Sequence, residues 1–103
     1  MAGEIPADIV FKNEHLVAFT DINPQAPTHV LIVPTQHLEN VAALASVSPK
    51  TISEIFKVAD QIAVEKGLTS YRTVFNTGTD AGQSVFHAHL HLLGGRALSW
   101  PPG

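Results

Sequence analysis

Apolar residues follow a two-residue period near both ends of the chain and a helical period in its middle. Residues 8–11 and 16–20 are short β-prone runs separated by the turn formers Asn13 and Glu14, which predicts a hairpin. Residues 21–27 contain Pro24 and Pro27, which a central strand does not tolerate, so they predict a loop; residues 28–33 read as a strand stopped at Pro34. Ser48 as N-cap and Pro49 at the first helical position open a helix that runs to Lys66, with Gly67 as its stop. Within it Ile52, Ile55, Phe56, Ala59, Ile62 and Ala63 recur at i, i+3 and i+4, forming an apolar stripe assigned to the core. Residues 71–76 predict a strand, 77–82 a loop and 83–93 a last strand. The sum is an α+β fold, about five strands in a mostly antiparallel sheet with one main helix packed on it.

The last strand carries His87-Ala88-His89-Leu90-His91-Leu92-Leu93. In extended backbone alternate side chains share a face and each residue rises about 3.3 Å, so successive imidazoles would stand about 6.6 Å apart in a row. Ala88, Leu90 and Leu92 would face inward and fix the register, because a slip of one residue would bury the imidazoles and expose the aliphatics. An isolated strand histidine is usually a surface or hydrogen-bonded core residue. Three in strict alternation, each titrating near neutral pH, carry a mutual charge cost that decoration does not explain, so they mark a site.

Composition narrows the chemistry. The 103 residues make one domain, with residues 1–7 and 94–103 as tails. A net charge of −3 offers no basic footprint for nucleic acid, so a bound phosphate would belong to a small ligand. The lack of cysteine removes disulfides, thiolate catalysis and cysteine zinc sites, and fits the reducing cytoplasm. No stretch has the length of a membrane span, and the first residues lack a signal pattern, so a soluble cytoplasmic protein is expected.

Before the histidines, Gly78 and Gly82 permit backbone conformations that would turn the amides of Gln83 and Ser84, with the Ser84 hydroxyl, toward an anion. Two chemistries fit such a cluster. Alternate histidines could chelate zinc and leave a position for an activated water. Alternatively, one imidazole attacks phosphorus while its neighbours stabilise charge on the phosphate and the leaving group. The amide-bearing loop favours the second. The nearest preceding acid, Asp80, is seven residues before His87, so the local sequence supplies no evident carboxylate to orient metal-bound histidines.

The run 87–93, together with Asp21-Ile22-Asn23-Pro24-Gln25-Ala26-Pro27-Thr28-His29, Gly82-Gln83-Ser84-Val85-Phe86 and the ending Gly94-Gly95-Arg96 to Trp100-Pro101-Pro102-Gly103, resembles the Hint branch of the histidine triad (HIT) superfamily. The resemblance extends from about Glu4 to the last residue. It implies a HIT-like fold whose sheet extends across a homodimer. The implied activity is purine nucleoside phosphoramidate hydrolysis, releasing AMP or GMP through a nucleotidyl-histidine intermediate, without metal or cofactor. His89 would be the nucleophile, and His91 would contact the phosphate and assist the leaving group, with His87 and His29 completing the polar site. Asp21 would contact the ribose; Ile5, Phe19, Ile22 and Leu31 would line the base pocket; Asn76, Gly82, Gln83 and Ser84 would meet the phosphate and leaving group.

Trp100, the only tryptophan, lies in a proline-rich tail that the resemblance carries across the dimer toward the partner's leaving-group side. The family usually has several residues more before Glu4-Ile5-Pro6 than Met1-Ala2-Gly3, so fewer would wall the base pocket here. His15 reads as a solvated turn residue and His37 receives no catalytic role. Arg72 and Arg96 read as surface or ion-pair residues rather than phosphate clamps. The alternatives are a dinucleoside polyphosphate hydrolase, disfavoured by the tryptophan tail, and a nucleotide-responsive binding module, disfavoured by the intact triad.

Overall fold

Asn13 closes the first hairpin: in the computed structural model, which describes residues 8–103, its Oδ1 accepts from the backbone amides of His15 and Leu16, both at 2.8 Å. That side-chain turn joins β1 (Ile9–Lys12) to β2 (Leu16–Thr20). β3 (Thr28–Pro34) pairs with β2 and occupies the centre of the sheet. Two helices follow, α1 (Val41–Val47) and α2 (Pro49–Glu65), then β4 (Tyr71–Val74) and β5 (Leu90–Gly94). The strand order is β1-β2-β3-β5-β4, and every neighbouring pair is antiparallel.

The α+β architecture is the expected one, with differences that have physical causes. α1 was not anticipated, because seven residues with one buried side chain, Leu44, show no helical period. It exists because the Asn40 side chain caps it, accepting from the Ala43 amide at 2.9 Å, and because Leu44 joins the core. α2 starts at Pro49 as predicted and is followed by Gly67 at φ +72. Its stripe is displaced slightly from the predicted one. Ile55, Val58, Ala59, Ile62 and Ala63 are buried, whereas Phe56 is exposed at the border, edge-on to Phe75. β4 ends at Val74, two residues before the predicted end.

The largest correction concerns the histidine strand. Predicted from residue 83, it begins only at Leu90. The residues before it are tied elsewhere: the Ala88 amide donates to the Leu38 carbonyl at 2.8 Å and the Gln83 amide to the Gly78 carbonyl at 3.0 Å.

The sheet has two unlike faces. Leu16 and Ala18 of β2, Val30 and Ile32 of β3, and Leu90 and Leu92 of β5 pack with Leu44, Ile55, Val58, Ala59 and Ile62 into one core. Each fully buried aliphatic contributes about 1.5–3 kcal/mol. The alternate residues turn to the other face, where the register places Phe19 beside Leu31 and Leu31 beside His91. Ala88, Leu90 and Leu92 are buried as predicted, so the inward register of the motif holds. Among the described residues, no helix is long and apolar enough to cross a membrane.

Candidate active site

His29 lies near the start of β3 and His91 on β5, and their ring centroids are 5.2 Å apart. His89 adjoins His91 at 5.0 Å. The row of three imidazoles predicted from strand geometry is therefore split. His87 is buried and pairs instead with His37, with ring centroids at 4.8 Å. The row fails because the regular strand starts after His89, leaving the two earlier rings free of strand alternation. The contact made by His37 was not foreseen, since nothing in its sequence spacing relates it to residue 87.

Backbone groups of unambiguous polarity assign a proton to each ring. A carbonyl only accepts and an amide N–H only donates, so the partner nitrogen of a neutral imidazole is determined. His89 Nδ1 donates to the His87 carbonyl at 2.7 Å, which leaves the lone pair on Nε2. The Gln25 amide donates to His29 Nδ1 at 3.0 Å, which places the His29 proton on Nε2. That Nε2–H donates to His91 Nδ1 at 2.9 Å, and so the His91 proton lies on its own Nε2. His87 Nε2 donates to the Pro34 carbonyl at 2.8 Å, leaving His87 Nδ1 to accept from His37 Nδ1 at 3.0 Å. The result is a bare nitrogen on His89 beside an N–H on His91: a lone pair next to a donor.

Burial reinforces the neutral forms. It pushes His91 down to about 4, with repulsion from His89 and His29 adding to the effect and Asp21 opposing it. His29 is also lowered by burial, against the pull of Asp21, and His87 by burial, against its bond to the Pro34 carbonyl.

Asp21 is half-buried, with Oδ1 accepting from the Asn23 amide at 2.8 Å and Oδ2 standing 3.4 Å from His29 Nε2. It therefore belongs to the histidine cluster as well as to the position assigned to the ribose. Asp21, His29 and His91 offer donor atoms within 4.8 Å of one another, a spacing that admits a cation. The tautomers do not fit one. A metal-bound His29 Nε2 would have to lose its proton, which would move to Nδ1 and face the Gln25 N–H donor.

The glycine loop is built differently from the expectation. Residues 79–81 form a single 3-10 turn, and Gly82 has φ +99, a conformation other residues adopt only with strain. The Gln83 amide is not aimed outward. It bonds the Gly78 carbonyl, while its buried side chain accepts from the Gly78 amide at 2.8 Å and donates to the Glu39 and Val85 carbonyls at 2.7 and 3.1 Å. Gln83 thus holds the loop shut, and its amide is not available to an anion. Ser84 is exposed, and a Cβ on Gly82 would stand 3.8 Å from Asn76 Nδ2, so Asn76 lies against this loop.

Of the residues assigned to the base pocket, Phe19 is buried and Leu31 half-buried on the histidine face, whereas Ile22 is 81% exposed. Ile5 and the tail 1–7 lie outside the described residues. Trp100 is likewise 81% exposed. Arg72 Nη2 donates to the Ser99 carbonyl at 3.1 Å and Arg96 Nε to the Gln25 carbonyl at 3.0 Å, so both arginines lie at the surface and grip backbone carbonyls there.

Comparison with known proteins gives this geometry a context. The HIT domain family model matches residues 2–98. An uncharacterized HIT-like protein of Synechococcus elongatus is 46% identical over 101 residues, covering 97% of this chain and 89% of that protein. A 14 kDa zinc-binding protein of Zea mays is 45% identical over 104 residues, covering 97% of this chain and 80% of that protein. The crystal structure of a HIT family hydrolase from Legionella pneumophila superposes with a TM-score of 0.92 at 46% identity, covering 98% of this chain and 92% of that one.

Proposed function

Because the chain belongs to the HIT family, we propose that it is a purine nucleoside phosphoramidate hydrolase of the Hint branch. The observation that carries this reading is the bond from His89 Nδ1 to the His87 carbonyl, which leaves Nε2 as a nucleophile 5.0 Å, ring to ring, from His91. In the first step the His89 Nε2 lone pair attacks phosphorus and the P–N bond breaks, the departing amine taking up a proton from solvent, which the second step returns. The His91 Nε2–H donates to a phosphate oxygen and steadies the leaving group as the bond lengthens. In the second step water attacks the nucleotidyl-histidine, loses a proton, and releases AMP or GMP with His89 restored. Division into two displacements is the general advantage of a covalent nucleophile.

Phe19 and Leu31, side by side across β2 and β3, would carry the purine, joined by Ile5 and Ile22. Asp21 would bind the ribose. Asn76, Gly82 and Ser84 would meet the phosphate and leaving group, with Gln83 keeping their loop in shape. The enzyme would be a cytoplasmic, single-domain homodimer whose sheet runs on across the interface and whose tail brings Trp100 to the partner's site. Light scattering should then return twice the 11.0 kDa chain mass.

The maize relative's name raises a zinc reading, which the donor set of Asp21, His29 and His91 partly supports and the His29 tautomer opposes. One assay separates the readings: hydrolysis of a fluorogenic adenosine phosphoramidate, beside a diadenosine polyphosphate, with chelator and with His89→Ala as control. Chelator-resistant P–N cleavage that disappears in the variant is expected. Loss of activity on chelation, restored by zinc, would replace the proposal with metal-dependent hydrolysis. Preferred cleavage of the polyphosphate would make it a dinucleoside polyphosphate hydrolase.

A further inference from the structure

At the exit of β5, Gly95 and Arg96 close against the 21–27 loop. Gly95 has φ +92, and a Cβ there would stand 2.9 Å from Pro27 Cβ, so the Gly95 backbone packs against the Pro27 ring with no room for a side chain. Arg96 then reaches across the loop. Its Nε donates to the Gln25 carbonyl at 3.0 Å, and its Nη1 donates to the Ala97 carbonyl at 2.9 Å, which keeps the guanidinium from swinging away. Gln25 is therefore gripped at its carbonyl by Arg96, while its own amide is the group that donates to His29 Nδ1.

We infer that Arg96 is a positioning residue for the His29–His91 pair, holding residue 25 so that its amide points at His29 Nδ1. The chain of consequences is short. With residue 25 fixed, His29 keeps its proton on Nε2 and donates to His91 Nδ1, so the His91 proton stays on Nε2. If residue 25 drifts, His29 Nδ1 loses its only backbone donor among the described residues, and both tautomers of the ring become accessible. His91 Nδ1 then meets a proton in one tautomer and a lone pair in the other. A guanidinium suits the task because it supplies several N–H donors in a rigid plane, so it can hold two carbonyls at once. That His91 must donate rests on the phosphoramidate hydrolase reading; the control of the tautomer does not.

The test is ring-nitrogen NMR on the ¹⁵N-labelled full chain, comparing wild type with Arg96→Met and Arg96→Lys at neutral pH, alongside thermal melts and steady-state kinetics. A fixed tautomer separates the two nitrogen shifts of a ring widely, and tautomer exchange draws them together. In wild type the His29 nitrogens should be widely separated, with Nε2 protonated. Arg96→Met should draw them together and lower kcat by about 10- to 100-fold with a much smaller change in KM. Arg96→Lys, which retains a charged donor group without the planar fork, should restore part of both. Wild-type His29 nitrogens in Arg96→Met would overturn the inference, and so would an equal loss in both variants that merely follows the melting temperature. Should Arg96→Met fail to fold, Arg96→Leu, which likewise removes every side-chain N–H donor, provides the same comparison. Arg96-dependent ring signals in a protein that cleaves no phosphoramidate would remove the functional reading and leave the positioning role in place.

Discussion

On β5, Leu90 and Leu92 face α2, while His91 between them faces the open side of the sheet, and the two sides are held by different physics. The helix side is a contiguous apolar core, in which stabilisation follows the area removed from water and no single contact has a required direction. The histidine side is held by single backbone groups: the Gln25 amide orients His29, the His87 carbonyl orients His89, and the Pro34 carbonyl orients His87. Each of these bonds contributes only about 1 kcal/mol to stability, yet each decides which nitrogen carries a proton. Stability resides on one side and protonation state on the other, within the same few residues.

Adjacent substitutions should pull these two properties apart. His89→Ala should lower phosphoramidate turnover by roughly 10⁴-fold or more while the melting temperature and AMP affinity stay close to wild type. Comparable turnover in the variant would remove His89 as nucleophile. One residue on, Leu90→Ala should cost about 2–5 kcal/mol of stability in chemical denaturation, because Leu90 is fully buried and its side chain leaves a cavity. Molecules of that variant that remain folded should turn over substrate at nearly the wild-type rate. A large kcat loss at unchanged stability would mean that the two faces are not separable.

Acid should reach the histidine side first. His29, His87 and His91 all have folded pKa values below 6.5, so between that value and about 4 the unfolded chain binds protons that the folded chain resists. Stability contributed by these neutral rings is fully present above pH 6.5 and is lost as pH falls toward 4. Denaturation midpoints should therefore decline from pH 7 to pH 4.5. A flat profile across that range would show that the rings are not buried in the neutral form.

The helix side was legible in the sequence and the histidine side only in part, for the same reason. Periodicity reports which residues face water, so the stripe of α2 and the inward Ala88, Leu90 and Leu92 could be read directly. The alternation of the motif also located the chemistry. It did not give the split between His87 and His89, because that depends on where the strand ladder begins, and the ladder is displaced by a bond to Leu38, far from the motif in sequence, and by one to Gly78. The pairing of His37 with His87 spans 50 residues and that of Arg96 with Gln25 spans 71, distances over which no local pattern carries information. Gln83 shows the limit most plainly. Its neighbours made it look like an anion contact, whereas its burial and four bonds, three to Gly78 and Val85 and one to Glu39, make it a brace.

The smallest effect offers the finest test of the electrostatics on the histidine face. The Asp21 carboxylate pulls both His29 and His91 upward, opposing the stronger effect of burial. Asp21→Asn keeps an oxygen for the Asn23 amide but removes the charge, so burial acts on the two rings with less opposition. The His91 midpoint should then move from about 4 to a lower pH, with His29 following in the same direction. Lower folded pKa values leave the folded rings neutral further into acid, so the pH range over which acid costs stability widens. Proton NMR titration of the ring signals reads the shift directly. An upward movement of His91 in Asp21→Asn would show that the carboxylate acts on these rings through packing or hydrogen bonding rather than through its charge.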